Sequence, residues 1–81
     1  MKKGEFEMSY DYRKLKGRII EICGTQEEFA RRMNLSTRTV SLKLNGKMPW
    51  KQSEITKAIE VLELKDSDIQ AYFFTLEVQS D

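Results

Sequence analysis

The sequence predicts an all-α domain of five short helices centred on a helix-turn-helix at residues 25–46. Three observations carry this. Apolar residues recur at helical spacing, as in Tyr12, Leu15, Ile19 and Ile22, and again in Ile55, Ala58, Ile59 and Leu62. Helix start and stop signals punctuate the chain at close intervals, at Thr25, at Asn34-Leu35-Ser36 and at Asn45-Gly46. The 81 residues suffice for one small core, and the single cysteine excludes an internal disulfide.

Residues 1–8 are polar and aperiodic and read as a flexible N-terminal arm, in which Met8 is an alternative start. The domain proper spans residues 9–74. Helix 1 is expected from about Ser9, its cap, to Ile22, with Arg13, Lys14, Lys16 and Arg18 outside and Gly24 as its stop. Cys23 falls in this apolar pattern and reads as a buried free thiol. Helix 2 is expected over residues 26–33. Thr25 is its cap, Glu28 completes a capping box, and Phe29, Ala30 and Met33 form the inner face.

The turn follows at residues 34–36. Asn34 tolerates the left-handed conformation that stops a helix, Leu35 can staple onto Val40, and Ser36 caps the next helix. Helix 3 is expected over residues 37–45, with Val40 and Leu44 inward, before Gly46 ends it. Pro49 bars continuation. Helix 4 is expected over residues 52–62, where Trp50 and Ile55 have staple spacing and Glu54 is the third helical residue. Helix 5 is expected over residues 67–74, opened near Asp66, with Ile69, Tyr72 and Phe73 closing the core. The tail, residues 75–81, begins with polar/apolar alternation that allows a short edge strand. Leu76 and Val78 there either pair two copies of the chain or belong to a disordered tail.

Fourteen Lys/Arg against thirteen Asp/Glu give a net charge of +1, but the charges are segregated. Residues 1–51 hold twelve of the basic residues and six acids, whereas residues 52–81 hold two and seven. This polarity suits a protein that turns one face to a polyanion. With no histidine and one cysteine, the common zinc sites and the Ser–His and Cys–His nucleophile pairs cannot be built, so no metal or other cofactor is expected. No phosphate-binding glycine loop is present either, and the chain does not read as an enzyme with a small-molecule substrate. No stretch approaches the ~18 apolar residues of a membrane span, and the N-terminus lacks a secretory apolar region, so a cytoplasmic protein is the expectation.

The candidate site residues lie on helix 3 and its flanks. Arg38, early in the helix, is placed to reach base edges, where arginine on guanine is the commonest specific contact. Leu42 points away from the core side and is either an ordinary exposed leucine or a contact to thymine methyls. Lys43, Lys47 and Lys51 are candidate phosphate clamps, Lys51 beside the N-terminus of helix 4. Arg31 and Arg32 read as solvating helix 2, and the Tyr72-Phe73-Phe74 run reads as core.

Gln26, Ala30, Asn34, Leu35, Val40 and Asn45-Gly46, with the TQEEFA opening, together resemble the helix-turn-helix of the phage repressor and Cro family, within the lambda-repressor-like class. The SLKLNGK stretch and the closing AYFF look more narrowly like small phage-encoded regulators. The resemblance covers about residues 10–74. It implies that Ser36, Thr37, Arg38, Ser41 and Leu42 face the major groove, and that Gln26 and Asn45 hold phosphate. The family buries an apolar residue where this chain has Lys43. Here the apolar neighbours are Leu42 and Leu44, so either Leu44 takes the core role or the reading face is turned by a residue.

The expected function is that of a sequence-specific, DNA-binding transcriptional regulator of phage or prophage type, a repressor, reading double-stranded operator DNA as a homodimer. The alternative is a protein-interaction module of helix-turn-helix shape, anti-repressor or antitoxin-like, that does not bind DNA. Salt dependence separates the two, because phosphate contacts release counterions.

Overall fold

The computed structural model of the chain describes residues 10–77. Five α-helices follow in order: α1 (Arg13–Cys23), α2 (Gln26–Met33), α3 (Thr37–Leu44), α4 (Gln52–Val61) and α5 (Ile69–Phe73), the last preceded by a 3₁₀ turn at Asp66–Asp68. The all-α, five-helix expectation holds. Among the described residues the allowed C-terminal strand is reduced to one antiparallel bridge, Tyr10 to Leu76.

That bridge explains why α1 starts at Arg13, later than the expected start near Ser9. Tyr10 and Asp11 are held against the C-terminal segment, with the Asp11 N–H donating to the Thr75 carbonyl at 2.7 Å. The Asp11 carboxylate then accepts the Arg13 N–H at 3.0 Å and opens the helix. Ser9, the expected cap, and Val78 lie outside the described residues. Leu76, read either as a contact between two copies or as part of a disordered tail, bridges Tyr10 of its own chain through the backbone and stays 51% exposed.

The core gathers Leu15 and Ile19 of α1, Phe29, Ala30 and Met33 of α2, Val40 and Leu44 of α3, Ala58 of α4 with Leu62 just beyond it, and Phe73 of α5. Ile22, Ile55 and Tyr72 pack against it only half-buried. Cys23 is buried beside the core, and burial raises its thiol pKa. Trp50 seats edge-on against Phe73, with ring centroids 5.3 Å apart.

Two helix ends are closed by features the apolar pattern does not reveal. The α4 C-terminus turns through Glu63 in the left-handed region, at φ 56°. Its last carbonyls are covered from α1, where the Arg18 guanidinium donates to the oxygens of Leu62 (3.0 Å) and Glu63 (3.2 Å). Arg18 is therefore not a surface charge but the clamp between α1 and the end of α4, satisfying carbonyls a helix leaves unpaired. The expected helix over residues 67–74 is shortened because the Asp68 carboxylate turns back to accept the Lys65 N–H at 3.0 Å, winding the entry as a 3₁₀ turn.

Candidate functional site

The α2–turn–α3 unit is built by short-range hydrogen bonds. Thr25 Oγ1 accepts the Glu28 N–H at 3.0 Å and fixes the start of α2. At its end Asn34 is left-handed, with φ 62° and ψ 40°. The N–H groups of Asn34 and Leu35 return to the carbonyls of Arg31 (3.1 Å) and Ala30 (2.9 Å), the paired closure of a Schellman motif. Leu35 packs on the core, and Ser36 Oγ accepts the Thr39 N–H at 3.0 Å to start α3. Three successive residues thus stop one helix, anchor the turn and start the next.

The expected capping box on α2 is only half made. The Glu28 carboxylate does not return to the cap; it holds Arg31 (2.9 and 2.6 Å) and Arg32 (2.8 Å). Hydrogen bonds from these two guanidinium groups bring the Glu28 carboxyl down to about 2. Asp11, bonded through Arg13, is likewise brought to about 2. Both folded values lie below the ordinary carboxylate range, so the stability they contribute is full above about pH 4.5 and lost as pH falls toward about 2. Thermal melts should therefore hold level from about pH 7 to about pH 5 and decline below it, and Glu28→Gln should flatten part of that decline.

The five residues expected to read bases share α3 and its cap. Thr37 and Arg38 are exposed, and neither side chain has a partner among the described residues. Ser36 is exposed, but its hydroxyl is occupied by the cap and by Thr39 Oγ1 at 2.9 Å. Ser41 is half-buried and within 3.4 Å of the Asn45 amide nitrogen. Leu42 is half-buried rather than exposed. Of the expected phosphate contacts, Asn45, Lys47 and Lys51 are exposed and Gln26 half-buried.

Lys43 requires a correction. It is 2% exposed, and its ammonium donates to the Pro49 carbonyl at 2.7 Å and pairs with Glu54 Oε1 at 2.8 Å. The same carboxylate oxygen accepts the Lys51 N–H at 2.8 Å and opens α4. Burial raises the Glu54 carboxyl, but the bonds from Lys43 and the Lys51 backbone, with the charges of both lysines, outweigh it and leave it below its ordinary value. Lys43 is consumed inside the fold and has no ammonium to offer a phosphate. Leu44 is buried as well, so Lys43 and Leu44 both face inward with Val40.

The surface left after these pairings is distinctive. Of the five arginines, Arg13, Arg18, Arg31 and Arg32 are bonded within the chain, and Arg38 is the one without an acceptor among the described residues. It stands in the first turn of α3, which contains no acid. Lys47, just past the far end of α3, and Lys51, at the start of α4, are exposed and have no ion pair among the described residues. This arrangement can bind an acceptor-rich partner. Among the described residues no group of three or more metal-ligating side chains gathers, and no helix is long and apolar enough to cross a membrane.

Residues 8–76 match the family described as protein of unknown function, DUF739. The chain is similar to the solution structure of the modulator of repression (MOR) of the temperate bacteriophage TP901-1 from Lactococcus lactis. The identity is 60%, over 89% of this chain and 97% of that one, with a TM-score of 0.74. No curated protein matches the chain.

Proposed function

The chain belongs to the DUF739 family, and we propose that it is a small phage regulatory protein that acts as a modulator of repression, engaging a repressor protein through its α2–turn–α3 surface. Its likeness, at 60% identity, to the modulator of repression of a temperate phage carries this reading. The surface chemistry supports it. The two α2 arginines are held by Glu28, Lys43 is buried, and Glu27 and Glu28 occupy the first turn of α2, where a phosphate would otherwise sit. Arg38, with Thr37 beside it, is the polar anchor of the contact, and half-buried Leu42 and Ser41 are its continuation along α3.

A second reading, operator DNA bound by a homodimer, is favoured by the same Arg38 together with exposed Lys47 and Lys51. In it Ser36, Thr37, Arg38, Ser41 and Leu42 read bases, while Gln26, Asn45, Lys47 and Lys51 hold phosphate. Lys47 and Lys51 neutralising two phosphates give a log–log salt slope of magnitude about 2.

Calorimetric titration of the purified chain into the repressor of the same phage, and separately into that repressor's operator DNA, tests the choice. Saturable binding to the repressor, with DNA binding no tighter than to random duplex, is the expected result. Operator-specific binding by the chain alone, falling with salt at that slope, would replace the first reading with the second.

A further inference from the structure

A groove separate from α2 and the first turn of α3 runs between the start of α1, the α3–α4 loop and the residues after α5. Aromatic rings line it. Tyr10 meets Phe74 edge-on at 5.7 Å and 86°, and Trp50 meets Phe73 in the same manner at 5.3 Å and 84°. Phe74 nevertheless remains 39% exposed. On the rim the charges of Arg13 and Asp11 cancel in a close pair at 2.7 Å. Lys16, from α1, and Lys47, from the α3–α4 loop, have no ion pair among the described residues, and Glu77 is the one further carboxylate lining the groove. Against Glu77 the two lysines leave the rim a net charge of +1, beside the part-exposed Phe74 ring.

We propose that this groove docks an acidic, amphipathic segment of a protein partner. Its carboxylates pair with Lys16 and Lys47, and an aromatic or aliphatic side chain lies against Phe74. Charge complementarity with the unpaired Lys16 and Lys47 selects an anionic occupant, and the ring geometry selects a peptide over a nucleic acid. The ring pairs are edge-to-face and offer no parallel faces between which bases could stack. The proposal goes beyond repressor modulation and does not depend on it, because Arg38 takes no part in the groove.

The test is an amide-shift titration of the ¹⁵N-labelled full chain with a short synthetic peptide alternating Glu with Phe and Leu, and with the same peptide carrying Lys for Glu. Saturable shifts at Lys16, Lys47, Phe74 and the Trp50 indole N–H are expected with the acidic peptide, with affinity at least about tenfold weaker for the basic one. Lys16→Glu and, independently, Phe74→Ala should each weaken the acidic peptide about tenfold while Arg38→Ala leaves it unchanged. Equal binding of the two peptides, or no saturable shift at these residues, would overturn the proposal. So would a single-stranded oligonucleotide that occupies the groove in preference to the peptide, or shifts there that follow protein concentration alone, which would assign the groove to a second copy.

Discussion

Replacing Glu54 by alanine is expected to cost about 3–5 kcal/mol, the usual penalty for leaving a buried charge without its partner. Lys43 lies 2% exposed, with Glu54 Oε1 at 2.8 Å and the Trp50 ring centroid 5.8 Å from its ammonium. Only the Pro49 carbonyl, at 2.7 Å, would remain as a direct hydrogen-bond partner. The same substitution removes the acceptor of the Lys51 N–H, so α4 also loses its opening bond. A domain of this size has a total stability of roughly 4–12 kcal/mol, so the loss is from about a quarter of it to all of it. Lys43→Met should behave differently. The position faces the core between Val40 and Leu44, and a methionine there is expected to cost less than Glu54→Ala, because the charge it strands, Glu54, is 14% exposed and keeps the bond from the Lys51 N–H, whereas Glu54→Ala strands a lysine that is 2% exposed. Urea unfolding followed by Trp50 fluorescence reads both. Equal losses for the two variants would mean that volume, not charge, governs the site.

Arg38→Glu is expected to weaken repressor binding by roughly 100-fold or more, a central contact converted to a repulsive one. Its effect on stability should have the opposite sign. Arg38 sits in the first turn of α3, at the positive end of the helix dipole, and no acid offsets it there. A glutamate at that position should raise stability by about 0.3–1 kcal/mol. A residue that opposes its helix and has no partner among the described residues is better explained by an external contact than by the fold. Melting temperature and binding constant measured on the same preparation check this. A fall in both would make Arg38 a structural residue.

Much of the fold is legible in the sequence because its helix ends are set by local chemistry. Thr25, Asn34 and Ser36 act within a few residues of themselves, and the structure finds each in its expected role. What the sequence obscures is non-local or depends on competition. Arg18 caps a helix whose end lies 44 residues away, so no spacing reveals it. Glu28 had two possible partners, its own cap and the arginines three and four residues on, and the arginines won because a carboxylate–guanidinium bond is the stronger of the two. Lys43 is the instructive miss. Positions 40, 43 and 44 have the spacing of an inner helical stripe, and the resemblance to phage repressors marks 43 as buried, but a lysine reads as surface until its counter-charge, eleven residues further on, is seen to meet it. The same blind spot hid Glu54 as the residue that joins α3 to α4.

The candidate site follows the same pattern. That Thr37 and Arg38 face outward from α3 was readable from helical phase. That Arg38 alone among the five arginines has no acceptor among the described residues was not, since it depends on where the other four find theirs.

The central claim is that the α2–turn–α3 surface meets a repressor protein. Its most direct test is titration of the ¹⁵N-labelled chain with the unlabelled repressor of the same phage. The amides of Thr37, Arg38, Ser41 and Leu42 should shift or broaden first, and Arg38→Glu should abolish the effect without altering the free spectrum beyond α3. Repressor binding that leaves those four amides unmoved would contradict the account.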